Sequence, residues 1–241
     1  MTKQSRSGGD LDAPQLIELL VAEMAEIESI KLFRPRFFPL VQESVGIGDP
    51  EQRVIRAGLK LRDDLGLSFW DSLLLHLSTH AERTDNLLKL ATRHNRQDLD
   101  CTPVRRADCK EDKLRGLIAQ LIRGQILAIS SEVQTIDGLF RHLPMLDFHC
   151  RESDANLNAV KTIIHELGLT GFVVSSGGSY HFYGRSLVDE QGLITLLSRS
   201  LLFSPIVDHR WVAHQLLERA CGLRISPGKE YQSCPKVIAE I

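Results

Sequence analysis

The run GFVVSSGGSYHFYG at residues 171–184 constrains the fold more than any other stretch of the chain. Two short blocks rich in β-branched and aromatic side chains flank a Ser-Gly-Gly turn. Glycine supplies the backbone angles that a tight reversal needs. The pattern predicts a β-hairpin with strands at Gly171–Ser175 and Tyr180–Gly184. A lone hairpin is marginal in water, so other elements must cover it.

The flanking sequence supplies them. LPMLDFHC, from Leu143 to Cys150, reads as a short buried strand, with Pro144 limiting where it begins. Ala155–Leu167 carries Leu157, Val160, Ile163, Ile164 and Leu167 at helical spacing, and Gly168 fits the helix end. Residues 188–203 and Asp208–Ala220 read as two more helices, the second opened by Pro205 and ended near Gly222. Leu223–Ser226 reads as a last short strand. The order is strand, helix, hairpin, helix, helix, strand. It implies an α+β core with a small, largely antiparallel sheet.

The N-terminal half has a different texture. Residues 1–10 are polar and Gly/Ser-rich and predict a disordered tail. From Pro14, the apolar residues Leu16, Leu19, Leu20, Met24 and Ile27 form one stripe, with Asp12 as N-cap. Residues 50–64 and Ser68–His94 read as further helices, and no strand-like alternation appears. Residues 95–111 are polar and hold Pro103, which predicts a linker, with a helix following from Asp112 to Arg123. The expected division is a tail at 1–10, a helical domain at 11–95, a linker at 96–111 and an α+β domain at 112–241. Ile126–Val133 reads as a weak strand.

Bulk properties narrow the class. Net charge is −2, so contact with nucleic acid must come from a local cluster. No apolar run nears the ~18 residues needed to span a bilayer, and no secretory leader is visible. The five cysteines form no C-x-x-C pair, which predicts free thiols in a cytoplasmic setting without membrane contact. His94, Cys101 and Cys109 match no common zinc module.

Three signals carry chemistry. On a strand, Asp147 and His149 share a face, offering an oxygen and an imidazole to a metal. Ser179 and His181 share a face beside the Gly-Gly turn. Ile206-Val207-Asp208 ends an apolar approach in a carboxylate at a helix start, where it serves as metal ligand, as N-cap, or as both.

This order resembles the archaeo-eukaryotic primase superfamily, whose members show an acidic D-x-D or D-x-E strand, then S-x-H on a hairpin, then a lone Asp. Here these read LDFH (146–149), SGGSYHFYG (176–184) and PIVDHR (205–210), and GLRISPGK (222–229) is similar to the basic strand that follows. The resemblance implies a primase-type, RRM-like core. It implies that Asp147 and Asp208 are catalytic and hold Mn²⁺ or Mg²⁺ together with His149. It implies that Ser179 and His181 bind the triphosphate of an incoming nucleotide, with Arg224 and Lys229 adding positive charge. The implied activity is template-directed nucleotidyl transfer in primer synthesis, on a nucleoside triphosphate and single-stranded nucleic acid, with a protein partner bound through the helical N-terminal half. At His149 the family pattern has a carboxylate, and an imidazole suits Mn²⁺ better than Mg²⁺. The alternative is a catalytically inactive primase fold that binds nucleotide or nucleic acid, or serves as an assembly subunit.

Plainer readings stand beside these. Asp147 can be a buried salt-bridge partner of Arg141 or Arg210. His76 and His80 suit a solvated helix face, as do Arg105, Arg106, Lys110, Lys113 and Arg115. Shared metal–phosphate chemistry requires Asp147, His181 and Asp208 to lie within ~10 Å of one another.

Overall fold

In the computed structural model the described residues are 11–35, 49–65, 67, 69–79, 101–122, 124–228 and 232–241. The chain forms two compact units, one joining residues 1–35 to 95–241 and the other spanning 36–94. The expected tail at 1–10, and His80, His94 and Lys229, lie outside the described residues.

Helix α1 (Ala13–Glu23) begins as expected at Asp12. The Asp12 side chain accepts the Gln15 N–H, and Gln15 reaches back to the Asp12 N–H, which closes a capping box. The apolar stripe continues past the helix, however. Ile27 opens a strand, β1 (Ile27–Phe33), instead of closing the last helical turn. Met24 and Ile27 suit either period locally. Pairing of Ile30 with Val104 and Val133 on neighbouring strands decides the matter, since β-structure answers to distant partners.

The smaller unit contributes α2 (Asp49–Leu65) and α3 (Phe69–Thr79). Val54, Ile55 and Leu73 are buried. Gly58 of α2 faces Leu73 of α3, and a Cβ there would stand at ordinary contact distance, 3.4 Å.

The expected linker holds β2 (Thr102–Arg105), followed by a 3₁₀ turn and α4 (Glu111–Ala119). Pro103, read as a linker signal, lies on an edge strand, where a missing N–H costs little. The N-terminal half is therefore not purely helical, and residues 11–35 belong with the C-terminal unit.

The remaining elements are β3 (Ala128–Thr135), β4 (Phe140–His142), β5 (Met145–Asp147), α5 (Asp154–Glu166), β6 (Gly171–Ser175), β7 (Tyr180–Gly184), α6 (Glu190–Ser200), α7 (His209–Glu218), β8 (Gly222–Arg224) and β9 (Lys236–Glu240). They build an α+β fold with two antiparallel sheets where one was expected. The first has the order β2-β1-β3-β4, and β8 pairs with the other end of β3. The second has the order β5-β7-β6-β9. The predicted hairpin forms with its predicted limits, in register from Gly171↔Gly184 to Ser175↔Tyr180. Phe172, Val173, Val174, Phe182 and Tyr183 are buried from both sides. The closing strand β9 lies in the tail that carried no assignment. It pairs with the free edge of β6.

Gly171 begins β6 at the end of the hairpin away from the turn, opposite Gly184. A Cβ there would lie 2.1 Å from the Tyr183 carbonyl oxygen. Backbone must move to admit it, so Gly171→Ala should cost about 2 kcal/mol or more. A urea denaturation midpoint equal to wild type would contradict this.

Candidate active site

The three sequence signals meet at one end of the second sheet. The β5–β7 ladder sets Asp147 opposite His181. His181 Nε2 lies 3.6 Å from Asp147 Oδ1. The chain then leaves β5, and Phe148 bridges to Val207. That bridge brings the Asp208 N–H to the Asp147 carbonyl at 3.0 Å and the His149 N–H to the Ile206 carbonyl at 2.7 Å. Two carboxylates distant in sequence therefore share a backbone contact. The Asp147 carboxyl faces the His181 ring across the ladder.

Each remaining residue has a definite place. Asp208 is both cap and candidate ligand. Its Oδ1 accepts the N–H groups of Arg210 and Trp211 at 2.9 and 3.0 Å and starts α7. Its Oδ2 faces His149 Nδ1 at 4.0 Å. His149 lies beyond the end of β5 and is largely exposed. Ser179 donates its hydroxyl to the Phe148 carbonyl at 2.7 Å, which ties the hairpin turn to the β5 segment. Arg224, on β8, donates to the Ser176 carbonyl at 2.6 Å and also to that of Ser226. Lys229 is outside the described residues.

Two contacts were not visible in the sequence. Glu152 Oε1 accepts the Ser175 hydroxyl at 2.6 Å and the Gly177 N–H at 3.2 Å. The Tyr180 hydroxyl accepts the Ser153 N–H at 2.8 Å and donates to the Ser153 carbonyl at 3.0 Å. Both join the 149–153 loop to the hairpin. Nothing in local spacing marks them, because each depends on the register of another strand.

The electrostatics are under tension. Burial pushes the Asp147 carboxyl well above the usual carboxylate range, and the Asp208 charge adds to this; Arg224 and the Phe148 N–H oppose it. Burial, with help from Arg224, holds the His181 imidazole down at about 3. His181 Nδ1 is buried without a hydrogen-bond partner. Asp147 keeps 24% of its side-chain surface open, so solvent reaches the pair.

Other clusters are structural. Arg106 donates to the Val21 and Ala22 carbonyls at 3.0 Å each, closing the end of α1. Arg115 pairs with Asp12 and Glu111, and Lys110 with Glu18. A cavity of about 590 Å³ lined by Glu18, Arg106, Cys109 and Ile136 includes none of the site residues. Cys109 and the other four cysteines are free thiols. Among the described residues, no three His, Cys, Asp or Glu side chains stand together as a ready metal site, and no helix is long and apolar enough to cross a membrane.

A mixed α/β core with an acidic strand, a Ser-x-His hairpin and a following Asp at one sheet end defines a primase-type domain. Residues 105–236 match the family model described as AEP-like, archaeo-eukaryotic primase 1D-like, and the chain belongs to that family. No curated protein and no solved structure matches the chain.

The pKa directions fix two opposite acid responses. His181 titrates at about 3 when folded and near 6.5 otherwise, so its contribution is present above pH 6.5 and lost as the pH falls toward 3. Buried His142 is shifted the same way. Asp147 is raised above 3.8, so stability is lost as the pH rises from 3.8 through its folded pKa. Asp147→Asn should therefore raise Tm at pH 7 by about 2–4 °C, equivalent to about 1 kcal/mol. The same variant should lose stability more steeply than wild type between pH 6.5 and 4. Thermal melts across that range check both, and a lower Tm at pH 7 would refute the first.

Proposed function

We propose that this primase-family chain binds a nucleoside triphosphate and single-stranded nucleic acid at the Asp147–His181–Asp208 cluster and performs metal-dependent, template-directed nucleotidyl transfer. The observation that carries the reading is the 3.6 Å approach of His181 Nε2 to Asp147 Oδ1, with Asp208 hydrogen-bonded to the Asp147 backbone. The orphaned Nδ1 of His181 supports it, since an unpaired buried polar atom costs about 1–3 kcal/mol and suits a site completed by ligand.

Asp147, Asp208 and His149 are the residues that would hold a divalent cation, and the imidazole favours Mn²⁺ over Mg²⁺. When bound, the ion would lower the pKa of a 3′-hydroxyl and offset charge on the leaving pyrophosphate. In the reaction the 3′-oxygen bonds to the α-phosphorus, the bond to pyrophosphate breaks and the hydroxyl proton is lost. Ser179, His181 and Arg224 would bind the phosphates, and Arg224 keeps Asp147 closer to its ionised form. The exposed leucines Leu65, Leu67, Leu74 and Leu75 of the helical unit support a protein partner there.

A second reading is nucleotide binding without catalysis. His149 favours it, since the family pattern has a carboxylate at that position. Primer synthesis on a single-stranded template with Mn²⁺ and labelled nucleoside triphosphates separates the two. The expected result is incorporation by wild type and a loss of at least 100-fold in Asp208→Asn. If wild type makes no product but nucleotide raises its Tm, the binding reading holds. If neither is seen, both fall.

A further inference from the structure

We infer that Glu152 is an internal stand-in for phosphate: its carboxylate fills an anion subsite at the Ser175–Ser179 turn that a polyphosphate chain takes over. The inference rests on the nucleotide-binding reading above.

Glu152 Oε1 holds two donors at once, the Ser175 hydroxyl at 2.6 Å and the Gly177 N–H at 3.2 Å. Gly177 has φ +98°, a conformation open to glycine at little cost. A hydroxyl and a backbone amide converging on one anionic oxygen form the donor set that turns present to phosphate. Other polar groups of the turn bond within the protein. Ser176 N–H donates to the Ser179 carbonyl at 2.9 Å. The Ser176 carbonyl accepts from Arg224, and Ser179 Oγ donates to Phe148. The Ser175 hydroxyl and the Gly177 N–H thus converge on an anion, and Arg224 binds the same turn through the Ser176 carbonyl.

The present occupant is suited to leave. Glu152 is exposed and its side chain is long. Two surface hydrogen bonds offset little more than the entropy lost in ordering that side chain. Through Ser179 and Phe148 the same turn is tied to the strand that carries Asp147.

Titration calorimetry of the full chain with inorganic tripolyphosphate, and separately with ATP, tests this in wild type, Glu152→Gln, Glu152→Ala and a charge control, Asp154→Asn. Both Glu152 variants should bind tripolyphosphate about fivefold tighter than wild type, and the control less than about twofold. The Gly177 amide resonance should shift on titration. Weaker binding by Glu152→Ala with wild-type binding by Glu152→Gln would make Glu152 a brace for the turn and overturn the inference. Equal tightening in Asp154→Asn, or no tripolyphosphate binding by any protein, would overturn it too. If tripolyphosphate behaves as expected but His181→Ala leaves ATP affinity unchanged, the subsite stands and the nucleotide reading fails.

Discussion

The register of β7 against β5 is the constraint on which the site depends. Asp147 meets His181 because Met145 meets Tyr183 and Leu146 meets Phe182. A slip of one residue would turn every side chain of one strand to the opposite face. It would set the carboxylate among buried apolar groups and send Leu146 toward the solvent-facing end. The register is held from both sides. The Ser-Gly-Gly turn fixes β6 against β7. Gly184 also lies so close to Pro144 that an added Cβ would sit 2.9 Å from the proline ring. Buried Phe172, Phe182 and Tyr183 make the arrangement costly to leave.

Within that frame the site accepts an electrostatic cost. A carboxyl raised by burial and an imidazole lowered by burial face each other. Neither is at ease in its charged form. Arg224 moves both toward the pairing of anion with neutral imidazole, while Asp208 pushes Asp147 the other way. A cation between the two carboxylates would remove that opposition. Burial and neighbouring charges that shift pKa values in this way are the devices by which active sites tune acids and bases.

Local patterns made the C-terminal elements legible. The hairpin was read to the residue, since alternation and a glycine turn are short-range signals. The helix caps at Asp12 and Asp208 followed from side-chain chemistry alone. Motif order picked out the candidate residues, and the Phe148–Val207 bridge brings the Asp147 and Asp208 backbones together. The failures share one cause. Ile27, Pro103 and the tail strand at Lys236–Glu240 owe their structure to partners far along the chain. Their local sequence is ambiguous. Glu152 and Tyr180 were missed for the same reason, because contacts across elements leave no trace in spacing.

That shared cause also bears on how far the primase-type core extends. The family match begins at Arg105, inside β2, and leaves α1 and β1 outside it. Yet β3 is paired along one side by β1, and its other side holds β8, which carries Arg224. The ladder running β1 to β3 to β8 therefore sets where the guanidinium stands. Leu32 and Phe33 of β1 pair opposite Ile129 and Ala128, the residues that face Leu223 and Arg224. Removing β1 would leave β3 an edge strand, with unpaired backbone and a half-uncovered apolar face. The cation that tempers Asp147 and binds the hairpin turn thus depends on a strand outside the matched segment.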